Sequence, residues 1–305
     1  MSFVNQVRGI QSWLFPKGRA RFRSKRAIPA CFSVGVAILC VCLLNGQQST
    51  SPDAREQQSG VAVITRAAAN EVAALQRLPF LRYRQTLQWK WGTETREVIE
   101  TPEGSADRIV RFNDEPLAPD EDQKQVQRLK KLMSDRDAAR HETEDQKAEL
   151  KRRLALMKAF PTAFIFTPDG EEDGRLKFSF RPTGSFSPHD RETQIYRALQ
   201  GTVWVDPRQE RITRIDGVVT RNVSFGWGVF GKLYKGGRYL IEQAEVEPGI
   251  WTVTKLDLDL KMRVFLNTSR LLRNEQDSNF EPVAPGTTYK QALQLLLGGP
   301  EQAVQ

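Results

Sequence analysis

The chain has 305 residues, 39% of them apolar, and its 45 Lys and Arg against 37 Asp and Glu give a formal charge of +8. That length and apolar content suffice for one large domain or two small ones and exclude a fully disordered chain. The basic excess is concentrated: residues 1–46 hold Arg8, Lys17, Arg19, Arg21, Arg23, Lys25 and Arg26 and no acidic residue, so the rest of the chain carries only +1. A nearly neutral body argues against nucleic acid as a partner.

The cluster from Arg19 to Arg26 runs into an uncharged stretch, 30–44, rich in Val, Ile, Leu and Cys. A cationic segment followed by an apolar run of about 15 residues is the layout of an export signal, and it is short for a membrane span. The expectation is an exported, periplasmic protein with a cleaved signal peptide; an uncleaved N-terminal anchor in the inner membrane is the alternative. Cys31, Cys40 and Cys42 all lie in this stretch, and the only histidines are His141 and His189. No zinc or other thiolate metal site is therefore expected. Residues 47–59 are polar and read as a linker into a single domain over 60–300.

Val61, Ile64, Ala68, Val72 and Leu75 recur at helical spacing up to Pro79, which predicts a helix with one apolar face. The period then changes to two: Leu81, Tyr83, Leu87, Trp89 and Trp91 alternate with polar residues, the mark of a half-buried strand. Strands over 96–101 and 107–113 follow across the turn Pro102-Glu103-Gly104. From about 118 to 160 the chain is charged and helical, with apolar anchors only near its ends, and Ser134-Asp135 reads as a break between two helices. A solvated helical insertion is the reading here, with a charged partner-docking arm as the alternative.

Beyond Pro161 the two-residue period returns over 163–166, 175–181, 199–205, 210–218, 238–247 and 250–260, the last extended across 262–267, and short turns join these segments. Consecutive hairpins predict an antiparallel sheet of nine to eleven strands, and residues 287–297 form a closing helix.

No motif specifies an enzyme. Gly226-x-Gly228-x-x-Gly231 matches a dinucleotide fingerprint in spacing, yet no βαβ unit surrounds it, so no cofactor is expected. Its interleaved Phe225, Trp227 and Phe230 read as a mobile aromatic loop. His189-Asp190 near Ser185 and Ser187 lacks a nucleophile elbow, and Asp257 and Asp259 form the solvated face of an amphipathic strand. Catalytic, cofactor-binding and metal residues are accordingly expected to be absent.

Gly201-Thr202-Val203-Trp204-Val205-Asp206-Pro207 followed by Arg211-Ile212-Thr213-Arg214-Ile215-Asp216-Gly217 resembles the sheet hairpins of bacterial envelope proteins of the LolA/LolB/RseB type. The segments Phe164-Ile165-Phe166-Thr167-Pro168-Asp169-Gly170-Glu171-Glu172, Lys235-Gly236-Gly237 and Gln243-Ala244-Glu245-Val246-Glu247-Pro248-Gly249-x-Trp251 are similar to an uncharacterised branch of that organisation. The resemblance implies an α+β fold: a strongly curved antiparallel sheet, an incomplete β-barrel, with covering helices and here a charged helical insertion. It further implies a non-enzymatic envelope protein that binds lipid or lipoprotein acyl chains in an apolar groove. Trp89, Trp91, Phe178, Phe180 and Trp204 are the candidate wall residues, each also a candidate for plain core packing. An envelope-stress sensor or interaction module with an inner-membrane or envelope protein partner is the second reading, and an outer-membrane β-barrel is the third.

Overall fold

The computed structural model describes residues 52–298, apart from 78, 90, 189, 191 and 226–230, so the basic leader and the apolar stretch lie outside the described residues. No described helix is long and apolar enough to cross a membrane. The described residues form four α-helices, α1 (Pro52–Arg77), α2 (Pro119–Ser134), α3 (Arg136–Ala163) and α4 (Tyr289–Leu297), with a 3-10 helix at Glu192–Ala198. The strands are β1 (Leu81–Trp89), β2 (Gly92–Thr101), β3 (Gly104–Phe112), β4 (Glu115–Pro116), β5 (Phe164–Glu172), β6 (Arg175–Pro182), β7 (Leu199–Asp206) and β8 (Arg211–Val219). They continue with β9 (Val223–Phe225), β10 (Gly231–Leu233), β11 (Arg238–Glu247), β12 (Ile250–Val264) and β13 (Asn267–Pro282).

All thirteen strands join one curved antiparallel sheet in the order β4-β3-β2-β1-β13-β12-β11-β8-β7-β6-β5, and the small β9–β10 hairpin attaches to β12. Its two ends do not pair, so the sheet is open. Most neighbours are consecutive in the chain because short turns make antiparallel hairpins easy to close. The β1–β13 pairing is long-range and joins the two halves.

Strand alternation gives the sheet two distinct faces. The inner face carries Phe164, Phe166, Phe178, Phe180, Val203, Val205 and Ile212, packed against Ile64 and Ala67 of α1, Phe160 of α3 and Tyr196 of the 3-10 helix. A second core lies on the outer face, where Ile99 of β2 and Ala106 of β3 meet Leu129 of α2 and Tyr289, Ala292, Leu293 and Leu296 of α4. The closing helix expected as a cover for the main apolar face therefore covers the opposite one. A capping box between Thr288 and Gln291 starts it.

The charged segment is not a solvated excursion. Helix α3 begins beside the β2–β3 turn, where Thr143 Oγ1 donates to the Glu103 carbonyl at 2.5 Å and Gln146 Nε2 donates to the Thr101 carbonyl at 3.1 Å. Contact is so close that a Cβ on Gly104 would stand 2.2 Å from Glu142 Cγ. The helix then runs directly into β5, at the other end of the sheet. Its 28 residues span about 42 Å, so it crosses the inner face as a chord between the two ends. Arg128 of α2 donates to the backbone carbonyl and carboxylate of Asp107 on β3, covering polar groups near that end.

The sequence pattern differs from the structure at several places. Residues 52–59, polar in composition, belong to α1, since no Gly or Pro interrupts them after Pro52. Strand β2 starts at Gly92 and Trp91 occupies the turn before it. Strand β13 has no apolar alternation over most of its 16 residues, yet it lies between β1 and β12.

One buried ion pair fixes α1 to the sheet. Arg211 Nε and Nη2 donate to the two carboxylate oxygens of Glu71 at 2.8 and 2.9 Å. The same carboxylate also accepts from Ile212 N at 3.2 Å and Gln243 Nε2 at 2.7 Å. The guanidinium lies over Trp251, 5.3 Å from the ring centroid. Removing one partner strands the other charge, so Glu71→Ala is expected to cost about 3–5 kcal/mol. By thermal unfolding this is a Tm loss on the order of 10 °C. The paired change Glu71→Met with Arg211→Met leaves no orphan charge and is expected to lose less than the single change.

Candidate functional site

The inner face divides into three zones along the strand order. At the β5–β8 end it is filled. Phe164 meets Phe180 and Tyr196 at centroid separations of 4.9 Å each, and Phe160 meets Phe166 at 5.3 Å. Edge-on aromatic packing of this kind is attractive beyond the area it buries. The Tyr196 hydroxyl donates to the Leu156 carbonyl at 2.8 Å, and burial holds its phenol well above the ordinary tyrosine range. Phe178 and Phe180, expected as groove walls, both belong to this packed end.

The central zone is different. Register places Leu256 of β12 opposite Ile241 of β11, Leu258 opposite Tyr239, and Leu260 opposite Leu271 of β13. Of these, Tyr239, Ile241, Leu256, Leu258 and Leu271 are only half-buried. Gly201 and Gly217 face each other beneath Tyr239, and a Cβ on Gly217 would stand 2.5 Å from the Tyr239 hydroxyl. The glycines thus give the tyrosine ring room to lie along the sheet. Helix α3 packs on β3 and β5 at the two ends of the sheet, and α1 packs on β5 and β8.

The third zone, on β1, β2 and β13, is polar. Glu275 is ion-paired to Arg273, and Asp277 lies two residues further along the same face. Glu100 accepts from Leu81 N at 3.1 Å. Burial raises the Glu100 carboxyl, partly opposed by that backbone donor and by Arg153 of α3. Burial, with repulsion from Glu275, pushes Asp277 up to about 8, and its Oδ1 has no hydrogen-bond partner. Tyr83 is also raised well above its ordinary value by burial, and next by Glu100.

The remaining wall candidates are dispersed. Trp89 has inner-face parity at the end of β1 and stacks on Trp91 with ring centroids 5.6 Å apart and planes within 4°. Trp91 is 53% exposed. Trp204 lies on the outer face, since its neighbours in register are Lys177 and Arg214 rather than Phe178 and Ile215. It is covered by Arg214 at 4.8 Å and Lys177 at 5.9 Å, while its Nε1 donates to Glu172 at 3.2 Å. Its apparent apolar role therefore becomes a cation–π one. Phe225 ends β9, and Trp227 and Phe230 lie outside the described residues. Sequence reasoning missed Tyr239 and Leu271 as inner-face residues, although Tyr239 and Ile241 already alternate at strand spacing.

One cavity of about 520 Å³ adjoins the central zone, where Trp89, Tyr239 and Leu258 line it together with Asp216, Leu240, Asp257, Asp259 and Leu272. The other, about 630 Å³, lies between α3 and the segment leading to the 3-10 helix and is lined by Lys158, Thr162, Ser185, Phe186, Asp190 and Thr193. Asp190 accepts from Thr193 N and Oγ1 at 2.8 Å, a local turn bond, and His189 lies outside the described residues. Asp259 is held by Arg270 at 2.6 and 2.5 Å, and Asp257 by Lys255 at 3.6 Å. Among the described residues no group of three or more His, Cys, Asp or Glu is placed to hold a metal.

The fold and this face define an α+β protein built on one large open, curved antiparallel sheet. No protein-family model, curated protein or solved structure matches the chain.

Asp277 provides a pH test. Its folded value near 8 stands above an unfolded value of about 3.9, so the folded state binds the proton more tightly. The stabilisation is complete below about pH 4 and is lost as pH rises through about 8. Asp277→Asn removes that loss: its Tm advantage over the parent is expected to be small at pH 5, to grow towards pH 8.5 and to level off above it. Parallel melting curves across this range check the sign.

Proposed function

We propose that this chain is a non-enzymatic cell-envelope protein that binds lipid or lipoprotein acyl chains on the inner face of its sheet, as its resemblance to the LolA/LolB/RseB type implies. The observation that carries the reading is the half-buried apolar strip of Tyr239, Ile241, Leu256, Leu258 and Leu271. It lies between the filled zone and the polar zone, where neither large helix has its main seat. An acyl chain laid along this strip gains about 25 cal/mol for each Å² of apolar surface withdrawn from water, with no need of specific polar partners. Such binding is selective for length and shape more than for headgroup. Export to the periplasm by the basic leader belongs to the same proposal.

Native mass spectrometry of the protein purified from its own envelope tests the reading. Lipid co-purifying with the parent is the expected result. Leu258→Asp, which introduces a charge into the strip, is expected to reduce the lipid-bound fraction about tenfold, the loss of a few buried methylenes. Its melting curve checks that the sheet persists. A bare monomer indifferent to added lipid overturns the carrier, and a stoichiometric protein partner without lipid points to the sensing or interaction module instead.

A further inference from the structure

The β12–β13 hairpin extends well past its neighbours. Pairing of β13 with β1 stops at Asn274, opposite Gln88, while the hairpin turn lies at Phe265 and Leu266. Seven further residues of β13 therefore project about 24 Å beyond the end of the β1 ladder. On the other side, pairing of β12 with β11 ends at Asp259, and only the short β10 flanks the projecting part, over Met262 to Val264. The tip is apolar and open to water: Leu266 is 96% exposed and Phe265 52%. A turn requires neither residue, and Phe265 even adopts a positive φ of 51°, where a bulky side chain is disfavoured relative to Gly, Asn or Asp.

Residues 260–274, which make up the projection, contain four Lys and Arg and no Asp or Glu. The outer face of the projection carries Lys261 and Arg263 of β12 and Lys232 of β10, which lies directly opposite Arg263. The Lys232 and Lys261 ammonium groups converge on the Tyr234 ring, 5.0 and 5.3 Å from its centroid. Among the described residues neither has a carboxylate within ion-pair distance. Two like charges held on one ring repel each other until an anion is shared between them. Arg270 and Arg273 are neutralised by Asp259 and Glu275, so among the described residues the uncompensated charge at this end is that of Lys232 and Lys261.

We infer that the β12–β13 hairpin is a docking device for an anionic lipid bilayer, in which Phe265 and Leu266 enter the acyl region while Lys232 and Lys261 rest on the lipid phosphates. An apolar tip beyond a pair of cations matches the layered chemistry of that surface, apolar inside and anionic at the headgroups. A soluble polyanion would satisfy the cations but not the tip, and a neutral bilayer would satisfy the tip but not the cations. The inference is independent of cargo: a hairpin that docks on a protein carrying no lipid leaves it intact and defeats the carrier.

Hydrogen exchange of the full chain, read by mass spectrometry on peptides covering 260–274, reports the tip itself even if another segment also meets the membrane. With vesicles of phosphatidylcholine and phosphatidylglycerol at 7:3, exchange in this hairpin is expected to slow about tenfold relative to pure phosphatidylcholine. Phe265→Ser with Leu266→Ser is expected to abolish that protection, and Lys232→Glu with Lys261→Glu to do the same, with melting temperatures unchanged. Equal protection on neutral vesicles, protection by heparin in the absence of lipid, or no protection while the chain is vesicle-bound each overturns the inference.

Discussion

An antiparallel sheet that never joins its two ends has an apolar face too large to leave in water and two edges that invite further pairing. The described helices and the residues at the sheet's two edges answer that constraint. Helix α3 ties the β2–β3 turn to β5 through Thr143 and Gln146 at one end and direct chain continuity at the other. Helix α1 lies against it and is locked to β8 and β11 by the Glu71 carboxylate. At the β3 end, Arg128 covers backbone and side chain of Asp107. At the β5 end, Pro168 and the acidic residues Asp169, Glu171 and Glu172 suit an edge that must not pair.

Bridging an open sheet with a helix has a consequence that strand closure lacks. A strand would seal the gap with a continuous ladder, whereas a chord touches only the ends of what it spans. The inner face is therefore packed densely beside β5 and β6, where the helices converge with six aromatic rings, and less densely along β11 to β13. The polar zone next to it, with Glu100, Glu275 and Asp277, bounds the apolar strip on its other side. Cargo on the strip and docking through the hairpin tip are separate proposals, but both place apolar surface where a lipid could reach it.

Legibility in the sequence followed the regularity of burial. Strands β1, β6, β7, β8 and β12 alternate apolar and polar residues because one face of each is packed, and their period of two was plain. Strand β13 was invisible because its inner positions are Leu271, Arg273, Glu275 and Asp277, three of them charged. Arg273 and Glu275 are tolerated inside because they pair with each other, and burial pushes the Asp277 carboxyl up to about 8, which favours its uncharged form. Helix α3 was legible as a helix but not in its role, since its tether at Thr143 and Gln146 uses polar atoms that a hydrophobic pattern cannot register. Trp204 illustrates the same limit: a tryptophan in an apolar strand reads as a wall residue, and only the register shows that Lys177 and Arg214 lie against it on the outer face.

By itself the sequence determined the fold class, the antiparallel hairpins after Pro161, the break between α2 and α3 and the neutrality of the body, because each follows from local period, turn chemistry or charge count. Tertiary structure alone decided which strands meet across the β1–β13 junction, which face each helix covers, and that the charged insertion spans the open sheet. It also decided that Lys232 and Lys261 converge on the Tyr234 ring at the base of one exposed hairpin. These depend on contacts between residues far apart in the chain, for which local propensity holds no information.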